Sequence, residues 1–150
     1  MNDRLRPGVQ TGRLGPEAAH AARPETVPAD RRHSLGAAGE ELAAEHLERR
    51  GYQIIERNYR TRWGELDLVA YDGRTLVFCE VKTRRSGGQK GSPFEALSPA
   101  KQGQVRKMAS RWLHERRERP RAAVIRFDAI GVVFDGAGRL LALEHLEGAF

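Results

Sequence analysis

The sequence predicts an α/β protein in which a central mixed β-sheet is flanked by helices, with its elements in the order α-β-β-β-α-β-β. Three observations indicate this class. Two segments repeat apolar residues with the period of a helix, and five segments are rich in β-branched and aromatic residues. One helical segment precedes each of the two runs of strand segments, and 150 residues suffice for one domain with one modest core.

The N-terminal segment, residues 1–33, contains many Gly, Pro, Ala and Arg residues and has no apolar period. Such a segment cannot bury enough apolar surface to fold. We therefore predict a disordered basic arm at 1–33 and a folded domain at 34–150. An inert extension and a weak tether to nucleic acid both agree with this composition.

The first helix is predicted from about Leu35 to Arg50, with Ser34 as its N-cap and Gly51 as its stop. Glu40 lies at the edge of the apolar face, where a carboxylate is unusual. Two interpretations of Glu40 agree with this position: an ordinary surface charge and a functional group. We interpret His46, in the middle of this face, as a packed core histidine. The apolar face comprises Leu35, Leu42, Ala43, His46 and Leu47.

A first strand at Tyr52–Tyr59 leads into a hairpin over Gly64–Arg84, whose Asp72-Gly73 pair predicts a two-residue turn. With that turn Asp67 would face Phe78. Side chains alternate along a strand. One face of the hairpin would then carry Glu65, Asp67, Glu80 and Lys82, and the other Leu66, Leu68, Val77, Cys79 and Val81.

The remaining elements follow a basic, Gly-rich loop at 84–97. Ser98 and Pro99 predict the start of a second helix that continues to about Glu118. Two closing strands are predicted at Val124–Phe134 and Leu140–Leu143. The apolar stripe of the second helix comprises Val105, Met108, Ala109, Trp112 and Leu113.

The composition excludes several classes of protein. A single cysteine, Cys79, excludes a disulfide framework and a cysteine-based zinc site. No apolar run reaches transmembrane length, and the N-terminus lacks the apolar segment of a signal peptide, so we expect a cytoplasmic protein without a membrane partner. The net charge of +6 favours a polyanionic partner, although such a charge also serves solubility alone.

The charged residues of the hairpin indicate a metal site. Like charges on neighbouring strands repel each other, whereas Mg²⁺ or Mn²⁺ binds several carboxylate oxygens at once. Asp67 and Glu80 are close enough in the predicted hairpin to share such an ion, and Lys82 would hold an ammonium beside it. A salt-bridged pair of strands without a metal is the alternative.

The motifs of the chain resemble a known family. The segments GAAGEELAAEHL, GYQIIERNYRTRWGELDLVA, LVFCEVKTRR, RFDAIGV and LEHLEGAF are similar to those of the YraN-type family of small bacterial proteins. That family is placed in the PD-(D/E)xK superfamily, which has a restriction-endonuclease-like core. The resemblance spans about Ser34 to Phe150, and Leu66 stands where the superfamily motif has a proline.

The resemblance implies a role for four residues. Asp67 matches the aspartate of the superfamily motif, and Glu80 and Lys82 match its (D/E)xK pair. Glu40 matches the first-helix glutamate of the archaeal Holliday-junction resolvases, which this arrangement also resembles. Asp67, Glu80 and Glu40 would hold Mg²⁺ or Mn²⁺, and Lys82 would position the attacking water.

The implied function is metal-dependent hydrolysis of phosphodiester bonds in DNA, with branched or distorted DNA as a candidate substrate. A homodimer is one of the oligomeric states that agree with this function, because enzymes that cut two strands commonly act as symmetric dimers. The alternative is a non-catalytic nucleic-acid-binding protein that retains the fold. Basic and aromatic residues around the acidic hairpin would bind the nucleic acid. These are Arg60, Arg62, Trp63, Arg84, Arg85, Lys101, Arg106, Lys107 and Arg111.

Overall fold

Helices and strands of the computed structural model follow one another in the predicted order, within the described residues 31–88 and 91–150. The helices are α1 (Arg31–Arg49) and α2 (Pro99–Glu115), with a short 3-10 helix at Pro93–Ala96 inside the predicted loop. The strands are β1 (Gln53–Thr61), β2 (Gly64–Tyr71), β3 (Thr75–Arg85), β4 (Val124–Phe134) and β5 (Leu140–Leu146). Over this part of the chain, neither helix is long and apolar enough to cross a membrane.

The five strands form one mixed sheet in the order β1-β2-β3-β4-β5. Neighbouring strands are antiparallel, except that β3 and β4 are parallel. A parallel pair requires a long crossover connection. The 3-10 helix and α2 lie in the segment that connects β3 to β4, so the predicted mixed sheet with packed helices is confirmed.

The core lies on both faces of the sheet, which we name the α1 face and the α2 face after the helix that covers each. On the α1 face, Leu47 packs with Cys79 and Ile130 in a buried cluster. On the α2 face, Trp112 packs edge-to-face against Phe78, with 5.6 Å between the ring centroids. The apolar stripes predicted for both helices are thus the stripes that face the sheet.

Several predicted boundaries are wrong by a few residues. Helix α1 begins at Arg31, so Ser34 lies within the helix and is not its N-cap. The remainder of the predicted arm, residues 1–30, lies outside the described residues. Helix α2 ends at Glu115, because the backbone of Arg116 leaves the helical conformation. Strand β5 continues to Leu146, because it pairs with β4 as far as Ala129.

The hairpin between β2 and β3 has a different register from the predicted one. Tyr71 pairs with Leu76, not with Arg74, and the ladder ends at Leu68 and Cys79. The physical reason is the side chain of Asp72, which accepts hydrogen bonds from the backbone N–H groups of Arg74 (2.9 Å) and Thr75 (2.7 Å) and so stabilises a wider loop. The next residues beyond the ladder are Asp67 and Glu80, so Asp67 does not face Phe78.

Strand β2 also breaks the predicted alternation of side chains. Leu66 belongs to the buried cluster of the α2 face and Leu68 to that of the α1 face, so these two leucines do not share a face. The irregularity lies at Asp67 and at Asn58, which sits between the residues of β1 that pair with Leu66 and Leu68. Asn58 has a φ of 51°, a conformation that turns the strand locally.

Candidate functional site

Glu40 reaches the sheet because α1 approaches β3 very closely at the preceding residue. A Cβ atom at Gly39 would overlap the hydroxyl oxygen of Thr83, so only a glycine fits at this contact. The approach leaves Glu40 half-buried at the edge of the α1 face. The glycine therefore determines how near the carboxylate of Glu40 comes to the strands.

Three carboxylates meet at this edge. Glu40 from α1 and Glu65 and Asp67 from β2 each offer an oxygen, and these oxygens lie within 4.8 Å of one another. Asp67 is only 6% exposed, and its Oδ2 accepts a hydrogen bond from the backbone N–H of Val81 at 2.7 Å. The side chain of Asp67 thus contacts β3 at the point where the backbone ladder between β2 and β3 ends.

The electrostatics of this cluster favour protonated acids or a bound cation. Burial, and after it the negative charge of Glu80, raises the pKa of Asp67 to about 8, although the hydrogen bond from Val81 opposes this shift. Burial also raises the pKa of Glu40, and the charge of Glu65 adds to the effect. A cation placed among these carboxylates would relieve both the repulsion and the lost hydration.

Glu80 is held by two lysines beside the cluster. Its side chain is buried, and its Oε1 lies 3.4 Å from Nζ of Lys82 and 3.3 Å from Nζ of Lys101. Lys101 comes from the first turn of α2, where the hydroxyl of Ser98 accepts a hydrogen bond from its backbone N–H. The two ammonium groups therefore meet at one carboxylate, although they come from elements far apart in the sequence.

The structure places the predicted metal ligands differently from the sequence-based assignment. Glu40 and Asp67 come together, but the third carboxylate of the group is Glu65 and not Glu80. Glu65 also forms an ion pair with Arg60, at 2.9 Å. The sequence contained the signal for Glu65, since it lies two residues before Asp67 on the same strand, but we assigned its place to Glu80 from the predicted hairpin and from the superfamily motif.

Some of the predicted nucleic-acid-binding residues gather around Trp63. The guanidinium carbon of Arg62 lies 4.3 Å from the centroid of the Trp63 ring, and that of Arg111 lies 4.9 Å from it. Trp63, Lys101 and Lys107 line one cleft together with residues of α2. Three of the predicted cations on α2, one on β1 and one in the turn that follows β1 are therefore close to the indole ring or to the carboxylates.

The other predicted cations lie elsewhere. Arg106 lies over the rings of Phe127 (5.4 Å) and Phe150 (5.9 Å) on the α2 face. Arg84 and Arg85 lie at the end of β3, where their register partners on β4 are Val133 and Phe134. These three arginines are thus not part of the group around Trp63.

A buried polar network on the α1 face was missed by the sequence analysis. Asp128 is fully buried and accepts two hydrogen bonds from Arg126, at 2.7 and 2.8 Å. Its Oδ2 also lies 2.7 Å from Nε2 of His145, whose Nδ1 lies 3.1 Å from Nε2 of His46. The network joins β4, β5 and α1, and no local pattern in the sequence reveals it because only Arg126 and Asp128 are close in the sequence, whereas both histidines reach them through the fold.

Comparison with known proteins identifies the family. The family described as "Uncharacterised protein family UPF0102" matches residues 39–132, which include every carboxylate and lysine of the site. This chain belongs to the UPF0102 family. The family membership predicted from the YraN-type motifs is thereby confirmed.

UPF0102 relatives match most of the chain. A UPF0102 protein of Geobacter metallireducens is 48% identical over 117 residues, which are 78% of this chain and 92% of the relative. One of Frankia casuarinae is 48% identical over 118 residues, which cover 78% of this chain and 96% of the relative. One of Pelotomaculum thermopropionicum is 44% identical over 122 residues, with 81% and 99% covered.

Proposed function

We propose that this UPF0102 protein is a nuclease that hydrolyses phosphodiester bonds in DNA with Mg²⁺ or Mn²⁺ as its cofactor. The observation that supports this most directly is the convergence of Glu40, Glu65 and Asp67, whose oxygens lie within 4.8 Å of one another. Packing alone does not explain three acids at one point, because each raises the cost of ionising the others. A divalent cation does explain it.

The residues present fit such a cation. Hard divalent ions prefer oxygen ligands, and Mg²⁺ is usually held by one or two carboxylates together with waters and phosphate oxygens. Glu40, Glu65 and Asp67 would hold the ion, and Glu80 contributes negative charge beside it. When bound, the ion would supply Lewis acidity to a phosphate oxygen and lower the pKa of a water.

The lysines would act on the substrate. Lys82 and Lys101 present two ammonium groups within 3.4 Å of the same oxygen of Glu80, so Glu80 orients both. An ammonium in this position can orient a water molecule or stabilise negative charge that develops on a phosphate. We assign Lys82 to the positioning of the nucleophile, and Lys101 to the contact with the phosphate.

The fold and the motif support a place in the PD-(D/E)xK superfamily. Asp67 on β2 and the Glu80-Val81-Lys82 segment on β3 lie on adjacent strands, in the order of the superfamily motif. Glu40 on α1 extends the carboxylate set from the first helix. We therefore propose a restriction-endonuclease-like core for the mixed sheet and its two helices.

The test is cleavage of labelled DNA by metal-free protein to which Mn²⁺ or a chelator is added. Linear, flapped and four-way DNA serve as substrates. We expect a product with Mn²⁺ and none with the chelator, and loss of the product in Lys82→Ala and Glu40→Gln. Glu41→Gln is the matched control, because Glu41 is the exposed neighbour of Glu40 on α1 and pairs with Arg57 at 2.7 Å.

Two results would contradict the proposed nuclease activity. A non-catalytic binding protein would bind each DNA equally well with Mn²⁺ and with the chelator, and would release no product. Cleavage that survives in Lys82→Ala and Glu40→Gln would also contradict the proposal, since it would come from another site or a contaminant.

A further inference from the structure

Trp63 combines a fixed backbone with an exposed ring. The residue is 37% exposed, and it lies at the turn between β1 and β2, two residues before Glu65. Its backbone N–H donates to the hydroxyl of Thr61 at 3.1 Å, and its carbonyl oxygen accepts a hydrogen bond from the side chain of Gln104 on α2. Because more than a third of Trp63 is exposed and the residue belongs to neither buried cluster, its ring has no role in the core.

The turn between β1 and β2 is also held by contacts with α2. The hydroxyl of Thr61 donates to the sulfur of Met108, which is buried in the cluster of the α2 face. Gly64, the residue after Trp63, has a φ of 141°, and a Cβ there would overlap the side chain of Gln104. The position of the indole ring is therefore set by α2 and by a glycine that allows the turn.

Cations lie in both of the clefts that Trp63 lines, with Arg62 and Arg111 in the first cleft. The guanidinium groups of Arg62 and Arg111 lie over the ring of Trp63, and both side chains are exposed. The cleft that Trp63 shares with Lys107 continues to Lys101, whose Nζ lies 3.3 Å from Glu80. The second cleft thus connects the exposed residue Trp63 to Lys101, which would contact the phosphate.

Resting on the function proposed above, we propose that Trp63 stacks on an unpaired base of the substrate, next to the phosphodiester bond that is cleaved. A ring can stack on a base only if that base has a free face, and the bases inside a duplex are covered on both sides. Arg62, Arg111 and Lys107 would bind the phosphates that flank the unpaired base. The substrate class is therefore nucleic acid with unpaired nucleotides, such as single strands, flaps or the open centres of junctions.

The test compares the binding of single-stranded and duplex DNA of equal length in the presence of a chelator, so that no cleavage interferes. Labelled DNA is titrated with the wild type, Trp63→Ala and Trp63→Phe, and the dissociation constants are read from fluorescence anisotropy. We expect Trp63→Ala to weaken single-strand binding by about 5- to 100-fold, the usual contribution of one base–aromatic stack, and duplex binding by less than about twofold. Trp63→Phe should restore most of the affinity.

Protein fluorescence gives a second measurement on the same samples. Stacking of a base on an indole quenches its emission, and the other tryptophan, Trp112, is 1% exposed in the core. Single-stranded DNA should quench the wild type but leave Trp63→Phe, which retains Trp112, nearly unchanged. Leu141→Ala is the matched control, because Leu141 is an exposed apolar side chain of β5 that is not among the residues that line the cleft.

Each outcome distinguishes this inference from the proposed nuclease activity. The stacking role is wrong if Trp63→Ala weakens single-strand and duplex binding equally, or if it weakens neither, even when Mn²⁺-dependent cleavage is observed. If the loss is confined to single strands while no DNA is cleaved with Mn²⁺, the stacking surface stands and the proposed catalysis is wrong. An unchanged melting temperature for Trp63→Ala shows that the loss of affinity does not result from unfolding.

Discussion

Replacement of Asp67 by asparagine should stabilise the metal-free protein. The pKa of Asp67 rises from an ordinary value of 3.8 to about 8, chiefly through burial and then through Glu80. A carboxyl with a raised pKa costs folding free energy as the pH rises from its unfolded pKa towards its folded pKa. Asparagine has no charge to bury, and its side-chain oxygen can still accept the hydrogen bond from Val81.

The size of the effect follows from the pKa difference. Each pH unit in this interval costs about 1.4 kcal/mol, so Asp67 lowers the free energy of unfolding by up to about 4 kcal/mol at pH 7 and by up to about 2 kcal/mol at pH 5. We expect Asp67→Asn to gain about 2–4 kcal/mol at pH 7 and about 1–2 kcal/mol at pH 5. The gain should therefore be larger at the higher pH.

Urea unfolding in a chelator at both pH values measures this difference. Asp72→Asn is the control from the same hairpin, because the pKa of Asp72 is lowered by hydrogen bonds from the backbone N–H groups of Thr75 and Arg74. This control should be neutral or slightly destabilising at both pH values. The reasoning is refuted if metal-free Asp67→Asn is less stable than the wild type at pH 7. That is the result expected if Asp67 were only a salt-bridge partner of Lys82.

Three further predictions concern the metal, the helix contact and the buried network. Mn²⁺ at a hundredfold excess over its dissociation constant should stabilise the wild type by about 2.7 kcal/mol in a thermal melt. Glu40→Gln, Glu65→Gln and Asp67→Asn should lose most of this gain, whereas Glu41→Gln keeps it; an unchanged melt for the wild type would contradict the metal site. Gly39→Ala should cost about 1–3 kcal/mol in urea unfolding, because its Cβ overlaps Thr83. Gly36→Ala is the control on the same helix and should not lower stability, because no atom lies within 4 Å of a Cβ placed there. Equal losses of stability in the two variants would refute the close contact at Gly39. Asp128→Asn should cost about 3 kcal/mol or more, because it removes the buried carboxylate that pairs with Arg126 at 2.7 Å.

The pH dependence of the last variant has a definite sign. Burial alone would raise the pKa of Asp128, but the hydrogen bonds from His145 and Arg126 outweigh burial and lower it. A lowered pKa contributes stability above the unfolded value, which is lost as the pH falls through the folded value. The difference between wild type and Asp128→Asn should therefore shrink only in acid, below the ordinary value of 3.8. A difference that disappears near neutral pH would contradict this.

The local elements follow from the sequence because short-range interactions determine them. The hydroxyl of Ser98 and the ring of Pro99 start α2 where predicted, because a cap and a fixed φ act within one turn. Strand β4 has the predicted bounds, Val124–Phe134, since its dense β-branched and aromatic residues need no distant partner to indicate a strand. The unusual position of Glu40 on the first helix was visible for the same reason, since helical spacing alone places it beside the apolar face.

Tertiary structure decided how those residues meet. The hydrogen bonds of Asp72 that widen the loop are local, but Leu66 and Leu68 face opposite sides of the sheet where the neighbouring strand has a positive φ at Asn58. Lys101 reaches Glu80 only because a crossover returns α2 to the sheet. The packing of α1 on the sheet and the crossover bring together residues that are distant in sequence, and no local pattern contains the free energies of their contacts. The grouping of Glu65 with Glu40 therefore became visible only in the folded chain.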